Sequence, residues 1–129
     1  MLKTITPTSP VPTASDPVSP NFDWHQLNQL AGEDPNFAIE LLAIFLKDAQ
    51  NSLTLLERAI AAQSTQAIEE AAHALRGASV NVGANAIAQI AQQLEQSARS
   101  GRVAQARERL QQLRDRIQTL RSETIASVQ

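Results

Sequence analysis

Hydrophobic residues recur at intervals of three and four from residue 22 to residue 126, the spacing of α-helices that bury one face. The pattern predicts a short helix at residues 23–30 and four long helices at about 34–62, 65–82, 84–99 and 103–124. Residues that favour helix ends stand at the boundaries: Asp23, Asp34 and Ser64 or Thr65 before helices, and Gly32, Gly83 and Gly101 after them. Because the connections are short, we expect an all-α protein, an antiparallel four-helix bundle with the short additional N-terminal helix across one end.

The second predicted helix is more apolar than a helix with one buried face requires. Its apolar arc is widened by four residues, Ile39, Ile44, Leu46 and Leu55. The short first helix can cover this extra surface, and we expect three of its residues to turn toward the core: Trp24, Leu27 and Leu30. Alternatively, part of the surface, with Phe37 or Phe45, is a docking patch.

The first 21 residues differ in composition from the rest of the chain. Five of the six prolines lie there, at positions 7, 10, 12, 17 and 20, among serines and threonines. Proline breaks helices, and such a segment buries little apolar surface. We therefore predict a disordered tail at residues 1–21, with a proline-rich docking peptide as the alternative, followed by one folded domain at residues 22–126.

Composition and charge narrow the class of protein. The chain has no cysteine and a formal net charge of −2, so we expect no disulfide, no thiolate metal site and no general nucleic-acid binding. No apolar run approaches the roughly 20 residues that span a bilayer, and the N-terminus lacks the apolar segment of a signal peptide. We expect a soluble, cytoplasmic protein that does not enter a membrane.

Basic residues concentrate near the last helix. Seven of the eleven lie between Arg99 and Arg121. They either form a solvated face that pairs with acidic residues of neighbouring helices or guide an acidic partner electrostatically.

One histidine faces away from the predicted core. The buried stripe of the third helix consists of Ile68, Ala71, Ala72, Leu75, Ser79 and Val82, and His73 lies on roughly the opposite side. Gly77, one turn later, costs about 1 kcal/mol relative to alanine in a helix interior. The glycine is explained if another molecule must come close to the imidazole. Alternatively, it allows tight helix packing, and His73 is an ordinary surface residue.

The residues around His73 resemble a known signature. The string His73-x-Leu75-Arg76-Gly77-x-Ser79-x-x-x-Gly83 is similar to the H-x-L-K-G-x-S-x-x-x-G motif of histidine-containing phosphotransfer (HPt) domains. The similarity extends from about residue 22 to residue 120. One departure is Arg76 at the position of the family's lysine, which keeps the positive charge but changes its geometry.

The resemblance implies a phosphorelay intermediate in two-component signalling. His73 would accept a phosphoryl group from a receiver-domain aspartate and pass it to another receiver aspartate, since a neutral imidazole is a nucleophile near physiological pH. The implied partner is the receiver domain of a response regulator or of a hybrid histidine kinase, which would also bring any Mg²⁺. The chain has no Gly-rich phosphate loop and no acidic metal cluster, so we expect a carrier rather than an enzyme, without a kinase domain, ATP or a cofactor of its own. We expect a monomer; alternatively, an exposed part of the second or fifth helix pairs two copies.

Further residues near His73 have predicted roles. Arg76 can donate hydrogen bonds to phosphoryl oxygens. Glu69 or Glu95 can hold the far ring nitrogen and fix the tautomer, and Glu95 occupies a position where HPt domains often have Gln or Glu. The expected docking surface around the histidine contains Gly77, Ala74, Val80 and Asn81.

A different class of function remains open on the residues alone. The chain would then be a non-catalytic helical protein-interaction module that binds through its second or fifth helix, with His73 incidental. A metal-binding bundle is not expected, because the chain has two histidines and no carboxylate-x-x-His repeat.

Overall fold

The computed structural model describes residues 22–128, so the tail predicted at residues 1–21 lies outside the described part of the chain. Within that part there are five helices: α1 (Trp24–Leu30), α2 (Pro35–Ala61), α3 (Thr65–Val82), α4 (Asn85–Arg99) and α5 (Val103–Val128). Turns of two or three residues join α2 through α5, and α5 returns to contact α2. This arrangement confirms the predicted all-α four-helix bundle with a short additional N-terminal helix.

Side-chain caps begin the first three helices where the sequence predicts them. Asp23 accepts a hydrogen bond from the backbone of Gln26, Asp34 caps α2, and the Ser64 hydroxyl, rather than Thr65, accepts from the backbone of Ala67. The last helix runs to Val128 instead of ending near residue 124. No glycine or proline follows residue 124 to stop it.

The short helix α1 is attached to the end of α3. The backbone N–H of Asp23 donates to the Gly83 carbonyl at 2.8 Å, and the Gln26 side chain donates to the carbonyls of Val80 and Asn81 at 2.6 and 3.1 Å. Gly83 ends α3 with φ 86°, and a Cβ atom there would lie 2.8 Å from the Asp23 carbonyl oxygen. Glycine is required at this position both by the backbone and by the close approach of α1.

The core is largely aliphatic, with Phe22 and Phe45 as buried aromatic residues, and lies between the four long helices. The predicted stripe of α3 is buried except at the half-buried Ala71, and the buried Ser79 hydroxyl donates to the Leu75 carbonyl at 2.7 Å. Five residues of α4 face inward as predicted: Ile87, Ile90, Ala91, Leu94 and Ala98. None of the helices at residues 22–128 combines the length and apolarity needed to span a membrane.

One expectation about the first two helices is wrong, and another is met only in part. Leu30 does not face the core but is 43% exposed, because α1 is only two turns long and Phe22 and Leu27 fill its buried side. The apolar surface of α2 is covered only in part: Leu46 is buried, whereas Ile44 and Leu55 are exposed. Of the two phenylalanines considered for a docking patch, Phe45 is buried and Phe37 is exposed.

Candidate functional site

His73 lies near the middle of α3 and points away from the core. Its side chain is 66% exposed, whereas Ala72 and Leu75 on either side of it are buried. The buried residues fix the rotation of α3 about its axis, and the helical period then places His73 outward. The imidazole is therefore presented to solvent by the packing of its own helix.

Glu95 of α4 holds one nitrogen of this ring. Its Oε2 lies 3.0 Å from Nδ1 of His73, and the Glu95 side chain is only 2% exposed. A carboxylate can only accept hydrogen bonds, so Nδ1 carries the proton in this contact. The neutral ring then keeps its lone pair on Nε2. Of the two glutamates predicted to bind the imidazole, Glu95 and not Glu69 contacts Nδ1.

Arg76 binds the same carboxylate. Its Nε donates to Oε1 of Glu95 at 2.5 Å, and its NH2 group lies 3.2 Å from Nδ1 of His73. Arginine has no acceptor, so it cannot hydrogen-bond to a nitrogen that already donates to Glu95. The buried Glu95 carboxylate cannot donate a hydrogen bond, whereas the Arg76 side chain is 37% exposed and can donate to water instead. The Glu95 contact therefore determines the tautomer.

Arg99 is a site residue that sequence reasoning missed. Its Nε donates to Glu69 at 2.6 Å, and its NH2 group donates to Oε2 of Glu95 at 3.4 Å. Glu69 thus reaches the site only through Arg99. The available signal was local, since Arg99 follows Glu95 by four residues on the same helix and such pairs face each other.

The Glu95 carboxylate is ionised in this setting. Burial by itself raises the pKa of the Glu95 carboxyl, but hydrogen bonds from His73 and Arg76 and the charge of Arg76 lower it more. The pKa of Glu95 is therefore held below its ordinary value. The hydrogen-bond acceptor for Nδ1 of His73 is therefore a charged carboxylate.

The exposed surface of α3 next to His73 includes two residues with little or no side chain. Ala74 and Gly77 are both exposed, and no atom lies within 4 Å of the position that a Cβ on Gly77 would occupy. Tight packing within the chain therefore does not account for this glycine. Val80 is 55% exposed, and Asn81 beside it is also exposed, although both carbonyls are bound by α1.

The residues of the signature divide into two groups. His73, Arg76 and Gly77 form the outer face of α3, whereas Leu75 and Ser79 are buried and Gly83 ends the helix. Among residues 22–128, no three His, Cys, Asp or Glu side chains are grouped as ligands for a metal ion. The described site is thus a histidine supported by one buried carboxylate and two guanidinium groups.

Comparisons with known proteins identify the family of the chain. The sequence profile of the Hpt domain matches residues 40–123, more than half of the chain. The crystal structure of histidine-containing phosphotransfer protein B (HptB) from Pseudomonas aeruginosa PAO1 matches with a TM-score of 0.78 and 28% sequence identity, covering 84% of this chain and 95% of that one. A comparison with curated proteins gave no match. This chain belongs to the family of histidine-containing phosphotransfer (Hpt) domains, which act in phosphorelay signalling.

Proposed function

We propose that His73 is the phosphoryl acceptor, taking the group from a receiver-domain aspartate and passing it to another receiver aspartate. Hpt domains are phosphocarriers rather than kinases, and they interact with the receiver domains and histidine kinases of two-component systems. The observation that carries the proposal is the exposed His73 ring whose Nδ1 is engaged by Glu95, which leaves Nε2 free toward solvent.

The transfer proceeds by attack of the Nε2 lone pair on the phosphorus of an aspartyl phosphate. A P–N bond forms, the P–O bond to the aspartate breaks, and the aspartate carboxylate leaves with the electron pair. Nδ1 keeps its proton throughout, so the phosphorylated ring carries a positive charge. Transfer to a second receiver is the reverse reaction with a different aspartate.

Two residues stabilise this process electrostatically. The Glu95 carboxylate lies next to the ring that becomes positive, and it is buried at 2% exposure, where water screens the interaction little. Arg76 lies beside the ring and donates to Glu95 in the resting state. Its exposed guanidinium is placed to donate to phosphoryl oxygens when they arrive. Glu69 contributes through Arg99 rather than by direct contact.

The receiver docks over the outer face of α3. Gly77 and Ala74 allow the receiver's acidic pocket to approach the ring, and Val80 and Asn81 form the rim of the contact. The partner is the receiver domain of a response regulator, of a hybrid histidine kinase, or both in turn. The receiver supplies the Mg²⁺ that neutralises the transferred group, and the carrier acts as a monomer without a cofactor of its own.

The test is transfer from a phosphorylated receiver. Incubation with an aspartyl-phosphorylated receiver domain and Mg²⁺ is expected to give an acid-labile, base-stable phosphoryl group on residue 73. His73→Gln is expected to abolish phosphorylation while leaving the fold unchanged. If H73Q still binds a receiver but wild type accepts no phosphoryl group from any receiver tested, the chain is instead a non-catalytic interaction module.

A further inference from the structure

A polar groove runs between α4 and α5, in the next interhelical space beyond the His73 site. We name it the α4–α5 groove. Its first part is lined by Gln93, Gln96, Ser100, Arg102, Gln105 and Arg109, and it continues past Gln93 toward Gln112 and Arg116. No acidic residue lines either part. Glu95, the one acidic residue of α4, belongs to the His73 site on the α3 side.

Two arginines of this groove lack the acidic partners that two neighbouring arginines have. Arg99 pairs with Glu69 and Arg114 pairs with Glu57. Arg102 and Arg109 form no ion pair with any acidic side chain of residues 22–128, within a chain whose net charge is −2. Among residues 22–128, the basic region therefore contains both paired and unneutralised cations. Arg107 and Arg121 also lack an ion pair but lie outside the groove, whereas Arg102 and Arg109 line it together.

Arg109 also has an unmet hydrogen-bonding group. Its NH1 group donates to Gln112 at 3.3 Å, but its Nε is buried without a partner among the described residues. A buried donor without an acceptor destabilises the state in which it is left unpaired. Arg109 therefore has both an unpaired Nε–H group and an unneutralised charge. Both would be satisfied by a negatively charged acceptor supplied by another molecule.

The spacing of the groove arginines indicates the shape of the occupant. Arg102, Arg109 and Arg116 are seven residues apart, so their backbone positions rise by about 10.5 Å from one to the next along α5. A helix with an acidic residue at every seventh position has the same repeat of about 10.5 Å. An extended strand places side chains of one face about 6.8 Å apart, which does not match.

We propose that the α4–α5 groove binds an acidic α-helical segment of a partner protein, with carboxylates at seven-residue spacing opposite Arg102 and Arg109. The carboxylates supply the charge and the acceptors that the groove lacks, and the glutamine amides provide further donors along both walls. This site is separate from the His73 site and is independent of phosphoryl transfer.

The test is a titration of the ¹⁵N-labelled full chain with two helical Ala/Gln peptides of equal composition. One carries glutamate at every seventh position, and the other at every fifth, which scatters the carboxylates around the helix. The seventh-position peptide is expected to shift the Nε–H signal of Arg109 and the amides of the groove, with binding that weakens as salt is added. The fifth-position peptide is expected to bind more weakly.

Matched charge variants locate the interaction. R102Q/R109Q is expected to weaken binding about tenfold or more, whereas K47Q/R107Q, which removes two exposed cations outside the groove, leaves it unchanged. H73Q binds the peptide like wild type, so failure here and failure of phosphoryl transfer are distinguishable. The proposal is overturned if both peptides bind equally, if the two double variants behave alike, if inorganic phosphate displaces the peptide at equal concentration, or if no groove signal shifts.

Discussion

The Nδ1 atom of His73 lies 3.0 Å from Oε2 of Glu95, which joins a largely exposed ring on α3 to a buried carboxylate on α4. This contact links the fold to the proposed chemistry. Packing of α3 against α4 sets the position of Glu95, Glu95 takes the proton-bearing nitrogen, and the other nitrogen faces solvent. The reactivity of the ring therefore depends on the register of two helices.

Replacing Glu95 tests the electrostatic part of this relationship through stability. Because the pKa of the folded-state carboxyl is below the ordinary value of about 4.3, its ionised form stabilises the protein at pH values above that value. Glu95→Gln is expected to lower the free energy of unfolding by about 1–3 kcal/mol at neutral pH. The difference from wild type should shrink as the pH falls from about 4.3 through the lower folded-state pKa. Urea unfolding at a series of pH values measures it, and a difference that does not shrink as the pH falls below about 4.3 would contradict this role.

Arg76 is expected to affect the rate of transfer more than the fold. Arg76→Gln removes the cation beside the ring and should slow transfer from a receiver about 100-fold or more, by analogy with the loss of one donor to a developing charge. Arg76→Lys keeps the charge but loses the planar fork, so its rate should lie between those of wild type and R76Q. Arg114→Gln removes an ion pair with Glu57 elsewhere in the bundle and is the control, expected to transfer at the wild-type rate. Equal rates for R76Q and R114Q would remove Arg76 from the site.

Gly77→Ala separates stability from docking. Alanine removes the helix penalty of glycine, and no neighbouring atom lies within 4 Å of the added Cβ, so the free energy of unfolding should rise by about 0.5–1 kcal/mol. The same methyl group lies one turn from His73 and should slow transfer from a receiver domain. Phosphorylation by phosphoramidate, a donor too small to need the docking surface, should proceed as in wild type. A variant that is more stable and equally fast with both donors would show that the glycine does not serve docking.

The position of α1 depends on Gly83, and a second glycine supplies the comparison. Gly83 and Gly101 both have positive φ, at 86° and 69°, but only the Cβ on Gly83 would clash, 2.8 Å from the Asp23 carbonyl oxygen. Gly101→Ala should destabilise the protein by about 1 kcal/mol through backbone strain, and Gly83→Ala by about 2 kcal/mol or more. Thermal unfolding measures both. Equal losses would mean that α1 does not depend on this close approach.

Much of the fold follows from local signals in the sequence. Asp23, Asp34 and Ser64 cap helices where capping residues are expected, and Gly83 ends α3 in the left-handed conformation. These features depend on a few adjacent residues. The error at Leu30 has the opposite origin, because periodicity in a two-turn helix does not fix which side meets the core when neighbouring Phe22 fills that side.

The site was predictable only as far as single helices determine it. The outward direction of His73 follows from the buried stripe of α3. Which glutamate contacts the His73 ring, and whether Arg99 reaches Glu69, depend on the register in which α3 packs against α4. Spacing within one helix indicates only the i, i+4 pairing of Arg99 with Glu95, and not the choice of Glu95 for the ring or the contact of Arg99 with Glu69. The same holds for the α4–α5 groove, whose charge balance emerges only when two helices are brought together.

In the phosphorylated chain, Nε2 of His73 is expected to carry the phosphoryl group while Nδ1 stays protonated against Glu95. Nitrogen-15 NMR of the imidazole, recorded on chain phosphorylated by a receiver domain, tests it most directly. We predict coupling between phosphorus and Nε2 of residue 73, with the proton retained on Nδ1. Phosphorus bound to Nδ1, or to any residue other than His73, would contradict the account.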